Sequence, residues 1–156
     1  MTMNLEQRIQ QLEHLEAIRQ LKHRYLNSCD LKDIEAVRQC FAEGEILIDY
    51  GVIGTFSHRD SFIRVFEQMA CHAHVIDLHH GTNPEIEVNG DQASGRWALY
   101  FFTIDGRTGA SQQLGGFYQD RYRLIEGQWF IVETKFLPHS VKHMPAPVEQ
   151  QQELFE

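Results

Sequence analysis

The spacing of apolar residues changes once along the chain, near Cys71, and this change restricts the fold more than any other feature. Before Cys71, apolar residues recur every three or four positions, which is the spacing of helices that bury one face. After Cys71, they alternate with polar residues, as in strands with one buried side. In a chain of 156 residues, this pattern predicts an α+β fold in which N-terminal helices pack on the concave side of a curved sheet.

Three helices are predicted before the change of spacing. The second is predicted from Leu31 to about Phe41, because Asp30 and Asp33 have the spacing of an N-cap residue and its N3 partner. The first begins near the N-terminus, and its apolar face consists of Leu5, Ile9, Leu12, Leu15, Ile18, Leu21 and Tyr25.

A short strand and the third helix complete this first half. Residues 45–50 alternate between apolar and polar, as in a half-buried strand, and two glycines mark the turn that follows. The helix is predicted to begin near Ser57. Its inner side consists of Phe62, Val65, Phe66 and Met69.

Five strands are predicted in the second half of the chain: His74–His80, Glu85–Val88, Ala93–Ile104, Ser111–Ile125 and Gln128–Leu137. Residues typical of turns, such as Asn83-Pro84 between the first two, separate them. Long strands joined by tight turns indicate an antiparallel meander. Gly115 and Gly116 lie inside the longest strand, where they predict a bulge that curls the sheet.

Charge and composition limit the classes of partner. The formal net charge is −8, which disfavours binding to nucleic acids and to anionic lipid surfaces. No apolar run is long enough to span a bilayer, and the N-terminus lacks the pattern of a secretory signal. Cys29, Cys40 and Cys71 lack CxxC spacing and are expected to be reduced. We expect a cytoplasmic protein with no nucleic-acid or membrane partner, in which residues 1–140 form one domain and 141–156 a loosely ordered tail.

Four histidines, His72, His74, His79 and His80, are concentrated in one short segment. Strand alternation places His79 on the face opposite the other three. An HxH pair can bind a metal ion if a further ligand converges on it, whereas a single imidazole can act as an acid or base near neutral pH. Histidines that are exposed or hydrogen-bonded in the core are the commonest case. The pattern alone does not decide between these three interpretations.

Tyrosines and other aromatic residues are frequent on the late strands. Their density suits a cavity for a flat or alicyclic apolar ligand, although many of them are expected to be core residues. Tyr25 and Asp30, taken alone, are explained by core packing and helix capping. The residues expected to line the cavity are Trp97, Phe101, Phe117 and Tyr118.

Three segments of the chain resemble SnoaL-like proteins of the NTF2-like superfamily. They are 15–30, with its Tyr25 and Asp30; 79–97, with the run His79-His80-Gly81-Thr82-Asn83-Pro84-Glu85-Ile86; and 115–129, with Gly115-Gly116-Phe117-Tyr118-Gln119-Asp120-Arg121-Tyr122. The resemblance covers nearly all of residues 5–137. It is closest to the branch of the bile-acid 7α-dehydratases, with scytalone dehydratase and hexachlorocyclohexane dehydrochlorinase as more distant relatives. It implies a cone-shaped NTF2-like fold, with three N-terminal helices on a strongly curved, mostly antiparallel sheet.

The same resemblance implies an activity. In that branch, a Tyr and an Asp five residues apart act together with a His, and Tyr25, Asp30 and His79 occupy the matching positions. His79 would be the general base, Asp30 would orient it and Tyr25 would donate a proton. This implies a dehydratase-type lyase that acts on a hydrophobic ring compound, such as a steroid or polyketide, without a metal or cofactor.

Two other functions fit the resemblance. The same three residues can move a double bond, as in a ketosteroid-isomerase type of enzyme, and the fold also serves non-catalytic ligand-binding or assembly domains. Pro138 stands where the related dehydratases carry Arg, which leaves the identity of the substrate open. Because the last three strands carry more aromatic and Arg residues than a small core needs, we expect a homodimer or homotrimer.

Overall fold

The computed structural model describes residues 2–147. Its helices are α1 (Leu5–Leu31), α2 (Ile34–Gln39) and α3 (Arg59–Ala70). The strands are β1 (Leu47–Asp49), β2 (Thr55–Phe56), β3 (Val75–Asn89), β4 (Gln92–Asp105), β5 (Ser111–Ile125) and β6 (Gln128–Met144). The predicted α+β class and its three N-terminal helices are confirmed. None of the described helices combines the length and the hydrophobicity needed to cross a membrane.

The strands form a mostly antiparallel sheet in the order β2-β1-β6-β5-β4-β3. Strands β3 to β6 are consecutive antiparallel neighbours, as the meander predicts, and β1 pairs with β6 in parallel. Helix α1 packs along β3 and also contacts β6, so it lies across the concave side of the curved sheet. Trp97, Tyr122 and Ile131 are almost completely buried in the core between helix and sheet.

Two of the predicted strands are one continuous strand in the structure. The segments expected as His74–His80 and Glu85–Val88 both belong to β3, so the prediction that they are separate was wrong. The register against β4 shifts between Thr82 and Glu85, and Asn83 adopts a left-handed backbone conformation with φ +52°. The Asn-Pro pair therefore makes a bulge and not a chain reversal, because the residues on both sides of it pair with the same strand.

The predicted role of Asp30 as an N-cap was also wrong. Helix α1 continues through Asp30 to Leu31, and Lys32 ends it in a left-handed conformation with φ +58°. The N-cap of α2 is Asp33, whose side chain accepts a hydrogen bond from the backbone N–H of Ala36 at 3.1 Å. Because Asp33 caps the N-terminus of α2, the Asp30 carboxylate is available for a contact with the sheet.

The apolar face of α1 is only partly covered. Ile18, Leu21 and Tyr25 are buried as predicted, but Leu5 and Leu12 are 69 % and 65 % exposed. Met69, expected on the inner side of α3, is likewise more than half exposed. Periodicity identifies which residues share a face. It does not show how far along the helix another element covers that face.

The bulge predicted at Gly115 and Gly116 is confirmed. Between these two residues, the register of β5 against β6 shifts, so Gly115 lies opposite Ser140 and Gly116 opposite Pro138. A Cβ atom on Gly116 would collide with the ring of Phe136 and would lie 2.7 Å from a backbone carbonyl oxygen of β6. The absence of a side chain at Gly116 therefore lets β6 and its Phe136 ring pack directly on β5.

The last regular element of the described chain is β6. β6 continues to Met144, which pairs with Ser111 of β5. Ordered structure thus extends beyond residue 140, where the tail was expected to begin. The part of the expected tail from 148 to 156 lies outside the described residues.

The side of the sheet that faces away from α1 carries exposed apolar residues. The most exposed are Ile76, Leu78, Tyr100 and Leu137, each between 45 % and 51 % accessible. Leu78 lies opposite Phe102 of β4, and Leu137 lies opposite Phe117 of β5, so these residues form rows across the same face. We call this face the outer apolar face. Contiguous exposed apolar surface of this kind often marks a contact with another protein.

The two adjacent glycines of β5 make a matched test of the packing. We expect Gly116→Ala to lower the free energy of unfolding by about 1–3 kcal/mol, because the added methyl group must displace both a ring and a backbone carbonyl. In Gly115→Ala, the added Cβ would meet only the Ser140 hydroxyl, at 2.8 Å. Its effect should be smaller. Urea unfolding of both variants measures the difference, and equal losses of stability would contradict the packing described.

Candidate functional site

His79 and Asp30 form a close pair between β3 and α1. One carboxylate oxygen of Asp30 lies 2.5 Å from Nδ1 of His79, and the other accepts the backbone N–H of His79 at 2.9 Å. The carboxylate thus holds both the ring and the main chain of the same residue. The side chains are only 18 % (His79) and 13 % (Asp30) exposed, so the pair is shielded but still accessible from solvent.

This arrangement determines which nitrogen of His79 can act as a base. An ionised carboxylate only accepts hydrogen bonds, so Nδ1 must carry the proton that it shares with Asp30. In the neutral ring, Nε2 then has a free lone pair. The ring also lies against Phe101, with 4.6 Å between ring centroids. The pair is therefore organised as an oriented imidazole base beside an apolar surface, a geometry that suits proton abstraction.

The Tyr25 hydroxyl contacts Tyr50, whereas the predicted partners of Tyr25 were Asp30 and His79. Its hydroxyl oxygen lies 2.6 Å from that of Tyr50, and both side chains are buried. Within the described residues, neither hydroxyl is hydrogen-bonded to His79 or Asp30. The structure therefore brings Asp30 and His79 into contact but places Tyr25 in a neighbouring hydroxyl pair. The sequence did not predict a role for Tyr50. Tyr50 follows a short strand, and the position of that strand relative to α1 depends on the tertiary fold.

The four aromatic residues expected to line a cavity separate into two groups. Strand register places Trp97, Phe101 and Tyr118 on the face of the sheet that packs against α1. Trp97 is fully buried, and its indole N–H donates to the Tyr122 hydroxyl at 3.0 Å, which makes it a core residue. Phe117 lies on the opposite face. There its ring contacts Arg96 and His139.

Tyr118 is a buried tyrosine of β5. Its ring centroid lies 6.2 Å from that of Tyr50 and 5.2 Å from that of Phe136. Burial raises the pKa of the Tyr118 hydroxyl well above its ordinary value, and the neighbouring Tyr50 raises it further. Tyr118 therefore lies in the core beside the hydroxyl pair of Tyr25 and Tyr50.

A buried ion pair lies behind these residues and was not predicted. Lys22 Nζ lies 2.7 Å from Asp120 Oδ2, and both side chains are inaccessible to solvent. The Tyr122 hydroxyl donates to the same carboxylate at 2.8 Å, and the Thr134 hydroxyl donates to its other oxygen at 2.7 Å. Lys22 lies one helical turn from Ile18 and from Tyr25, and strand alternation places Asp120 on the same face as Tyr118 and Tyr122. The charge of the two residues, and not their periodicity, suggests exposed positions.

Among the described residues, the other clustered histidines and the cysteines form no pair like that of His79 and Asp30. The rings of His72 and His74 stack on each other at 5.6 Å. Among the described residues, no group of three or more His, Cys, Asp or Glu side chains is arranged to hold a metal ion. Burial raises the pKa of the Cys29 thiol well above its ordinary value and that of Cys40 to about 11. Both thiols therefore remain protonated, and weakly nucleophilic, at neutral pH.

Comparison with known proteins agrees with this architecture. A family model described as a SnoaL-like domain matches residues 10–135. A candidate scytalone dehydratase from Novosphingobium aromaticivorans is 20 % identical, over 89 % of this chain and 95 % of that one, with a TM-score of 0.77. A type 2 hexachlorocyclohexane dehydrochlorinase (LinA) is 16 % identical, over 90 % and 98 %, with a TM-score of 0.80.

A third solved structure has higher identity. It is a protein of unknown function from Mycobacterium tuberculosis, 25 % identical over 83 % of this chain and 74 % of that one, with a TM-score of 0.73. At identities of 16–20 %, the first two structures show the NTF2-like fold that this chain shares with them. The cone-shaped fold implied by the sequence resemblance is thereby confirmed.

The buried tyrosines predict a single transition at alkaline pH. Burial raises the pKa values of Tyr25, Tyr50, Tyr118 and Tyr122 above the ordinary value of about 10. The folded state therefore keeps protons that the unfolded state releases above pH ~10. The stability associated with these groups is complete below that pH and is lost as the pH rises further.

The measurement uses the variant Tyr100→Phe, which removes the one exposed tyrosine of the five in the chain. We expect phenolate absorbance and the loss of far-ultraviolet circular dichroism to appear together in one transition above pH ~10. Phenolate absorbance that develops while the circular dichroism is still native would contradict the burial of these hydroxyls.

Proposed function

The chain belongs to the SnoaL-like family, and we propose that it is a cofactor-independent lyase of the dehydratase type that acts on a hydrophobic ring compound. The observation that supports this most is the His79–Asp30 pair, in which a carboxylate holds an imidazole by its ring and its backbone. A histidine with an ordinary structural role has no need of this arrangement. The Phe101 ring beside it offers an apolar surface for a ring substrate.

The proposed reaction removes water from a β-hydroxy carbonyl compound. His79 Nε2 takes a proton from the carbon next to the carbonyl group, and the electrons of that C–H bond form the new C=C bond as the C–O bond to the hydroxyl breaks. The departing hydroxyl takes a proton from Tyr25 and leaves as water. The proton on His79 then returns to Tyr25 through solvent, so the enzyme is unchanged.

Tyr50 supports Tyr25 in this scheme. When Tyr25 gives up its proton, negative charge develops on its oxygen in a buried environment where charge is expensive. The Tyr50 hydroxyl, 2.6 Å away, is placed to donate a hydrogen bond to that oxygen. Positioned proton transfer contributes about 10²–10⁴-fold to a rate, and one donor to a developing oxyanion about 10²–10³-fold. Effects of this size are sufficient for the loss of an activated leaving group without a metal or cofactor.

A second candidate is a non-catalytic domain that binds a small hydrophobic ligand. It is favoured by the hydrogen bond between Tyr25 and Tyr50, which gives each hydroxyl a partner without a substrate. It is disfavoured by the partial exposure of His79, whose ring is oriented by Asp30 and is not fully enclosed in the core. The two candidates differ in whether the ligand is changed, and turnover distinguishes them.

The proposed activity is tested with a panel of cyclic β-hydroxy ketones, in which the ultraviolet absorbance of the conjugated enone reports dehydration. We expect His79→Ala and Asp30→Asn each to lower kcat/KM by about 10²–10⁴-fold, with losses that are far from additive because the two residues act as a unit. Tyr25→Phe should lower kcat/KM by about 10²-fold.

The control is His80→Ala, which removes the neighbouring exposed histidine of β3 and should leave the rate unchanged. Near-normal turnover by His79→Ala would contradict the mechanism. Conversion of a β,γ-unsaturated ketone to its conjugated isomer, with no dehydration of any β-hydroxy ketone, would assign the same residues to an isomerase. Binding of the panel without any turnover would support the ligand-binding domain.

We further propose that the protein is a homodimer or homotrimer that associates through the outer apolar face. Sedimentation at micromolar concentration should show a species of two or three times 18.2 kDa. Leu78→Lys and Leu137→Lys should dissociate it, because each places a charge in the contact. Leu31→Lys is the matched control, since Leu31 is 79 % exposed at the end of α1. A wild-type protein that sediments only at 18.2 kDa would contradict this proposal.

A further inference from the structure

The buried ion pair between Lys22 and Asp120 does not fit a purely structural role. Removing two charges from water is costly, and a buried pair is often no more stabilising than apolar residues of the same size. Here, Asp120 receives hydrogen bonds from Tyr122 and Thr134 in addition to its contact with Lys22. The carboxylate is thus held firmly, and it in turn holds the ammonium group of Lys22 at one position in the core.

That position is against the face of an aromatic ring. Lys22 Nζ lies 3.6 Å from the ring centroid of Tyr118 and 5.2 Å from that of Tyr25. A desolvated cation at this distance is attracted by the electron-rich face of the ring. It also withdraws electron density from the ring, which makes the phenol a stronger hydrogen-bond donor. Burial lowers the pKa of Lys22. The negative charge of Asp120 opposes this effect and so helps to keep Lys22 charged.

The Tyr118 hydroxyl differs from the other buried hydroxyls of the core. Tyr25 and Tyr50 bond to each other, and Tyr122 bonds to Trp97 and Asp120. Among the described residues, the Tyr118 hydroxyl has no hydrogen-bond partner, although 96 % of the residue is buried. A buried hydroxyl without a partner from the protein is available to a group that binds on the concave side of the sheet.

We propose that Tyr118 is a further catalytic residue, which donates its hydroxyl hydrogen bond to the carbonyl oxygen of the substrate, and that Lys22 is the positioning residue that fixes and polarises its ring. This inference rests on the proposed function and gives Tyr118 and Tyr25 different roles in it. Tyr118 stabilises the negative charge that develops on the carbonyl oxygen when His79 removes a proton. Tyr25 is then left to protonate the departing hydroxyl.

The geometry supports this division. Tyr118 lies beside the pair formed by Tyr25 and Tyr50, with 6.2 Å between the ring centroids of Tyr118 and Tyr50. A ring compound that rests on Phe101 beside His79 can extend towards the Tyr118 hydroxyl. Because its pKa is raised by burial, Tyr118 stays protonated at neutral pH and acts as a donor. A preorganised donor of this kind is worth about 10²–10³-fold in kcat.

The test does not depend on turnover. 1-Indanone labelled with ¹³C at its carbonyl carbon is a ring ketone without a hydroxyl group to eliminate, and its carbonyl resonance moves downfield when the oxygen accepts a stronger hydrogen bond. We expect the bound resonance in the wild-type protein to lie downfield of that in Tyr118→Phe, which loses only one oxygen atom. Tyr100→Phe, on the outer apolar face, is the matched control and should behave as the wild type.

Lys22 is tested with the double variant Lys22→Met/Asp120→Asn, which removes both charges with side chains of similar size and leaves no unpaired buried charge. We expect its bound resonance to lie between those of the wild type and Tyr118→Phe. A resonance equal to the wild type would contradict the role of Lys22, and equal resonances in Tyr118→Phe and the wild type would overturn the role of Tyr118. Failure of indanone to bind up to its solubility limit would overturn the proposal as well.

The result of this binding test can be distinguished from the result of the turnover test of the proposed function. His79→Ala should retain the downfield resonance, because the base takes no part in holding the carbonyl oxygen. A downfield resonance in a protein that dehydrates none of the β-hydroxy ketones would support the Tyr118 site while contradicting the lyase. Where turnover is found, Tyr118→Phe should lower kcat by about 10²-fold with little change in KM, because the hydrogen bond strengthens as charge develops.

Discussion

The buried charge of Lys22 is the contact on which the position of α1 depends. A lysine ammonium group in the core must be paired, and its partner, Asp120, is fixed on β5 by hydrogen bonds from Tyr122 and Thr134. This contact ties α1 to β5, and the Asp30–His79 pair ties the end of the same helix to β3. Tyr25, one turn later on the helix, then faces the core, and Asp30, at the last turn, reaches β3.

The resulting site is divided between the helix and the sheet. The proposed base, His79, comes from β3, and the carboxylate that binds it comes from α1, so neither element contains the pair by itself. The same division applies to the phenols: Tyr25 belongs to the helix and Tyr118 to the sheet. The proposed site therefore depends on the relative position of α1 and the sheet, which the ion pair between Lys22 and Asp120 helps to define. Buried polar groups of this kind specify one arrangement at some expense in stability.

The buried tyrosines show how similar side chains acquire different roles from their neighbours. Tyr122 is fully committed to the network around Asp120, and its hydroxyl both accepts and donates. Tyr25 and Tyr50 satisfy each other, so either can donate to the other. Tyr118 is buried, has a cation against its ring, and its hydroxyl makes no hydrogen bond among the described residues. These differences suit Tyr122 to a structural role and the other three to binding or chemistry.

The sequence by itself determined the class of fold and the face on which most residues lie, because both follow from the local repeat of the backbone. The three helices, the meander and the bulge at Gly115 and Gly116 were all predicted from spacing and turn residues. The resemblance to a family added Asp30 and His79 as partners, and their contact is present in the structure. It did not identify Tyr50, whose contact with Tyr25 joins residues 25 positions apart.

Only the tertiary structure decided how far each face is covered and which polar groups are buried. Leu5 and Leu12 continue the apolar periodicity of α1 yet are exposed, whereas Lys22 looks like a surface residue and is completely enclosed. Whether a charged residue is buried depends on a partner from a distant strand, and the local sequence does not show which residue that partner is. The same holds for Tyr118, because its free hydroxyl and its neighbouring cation come from the way α1 crosses the curved sheet.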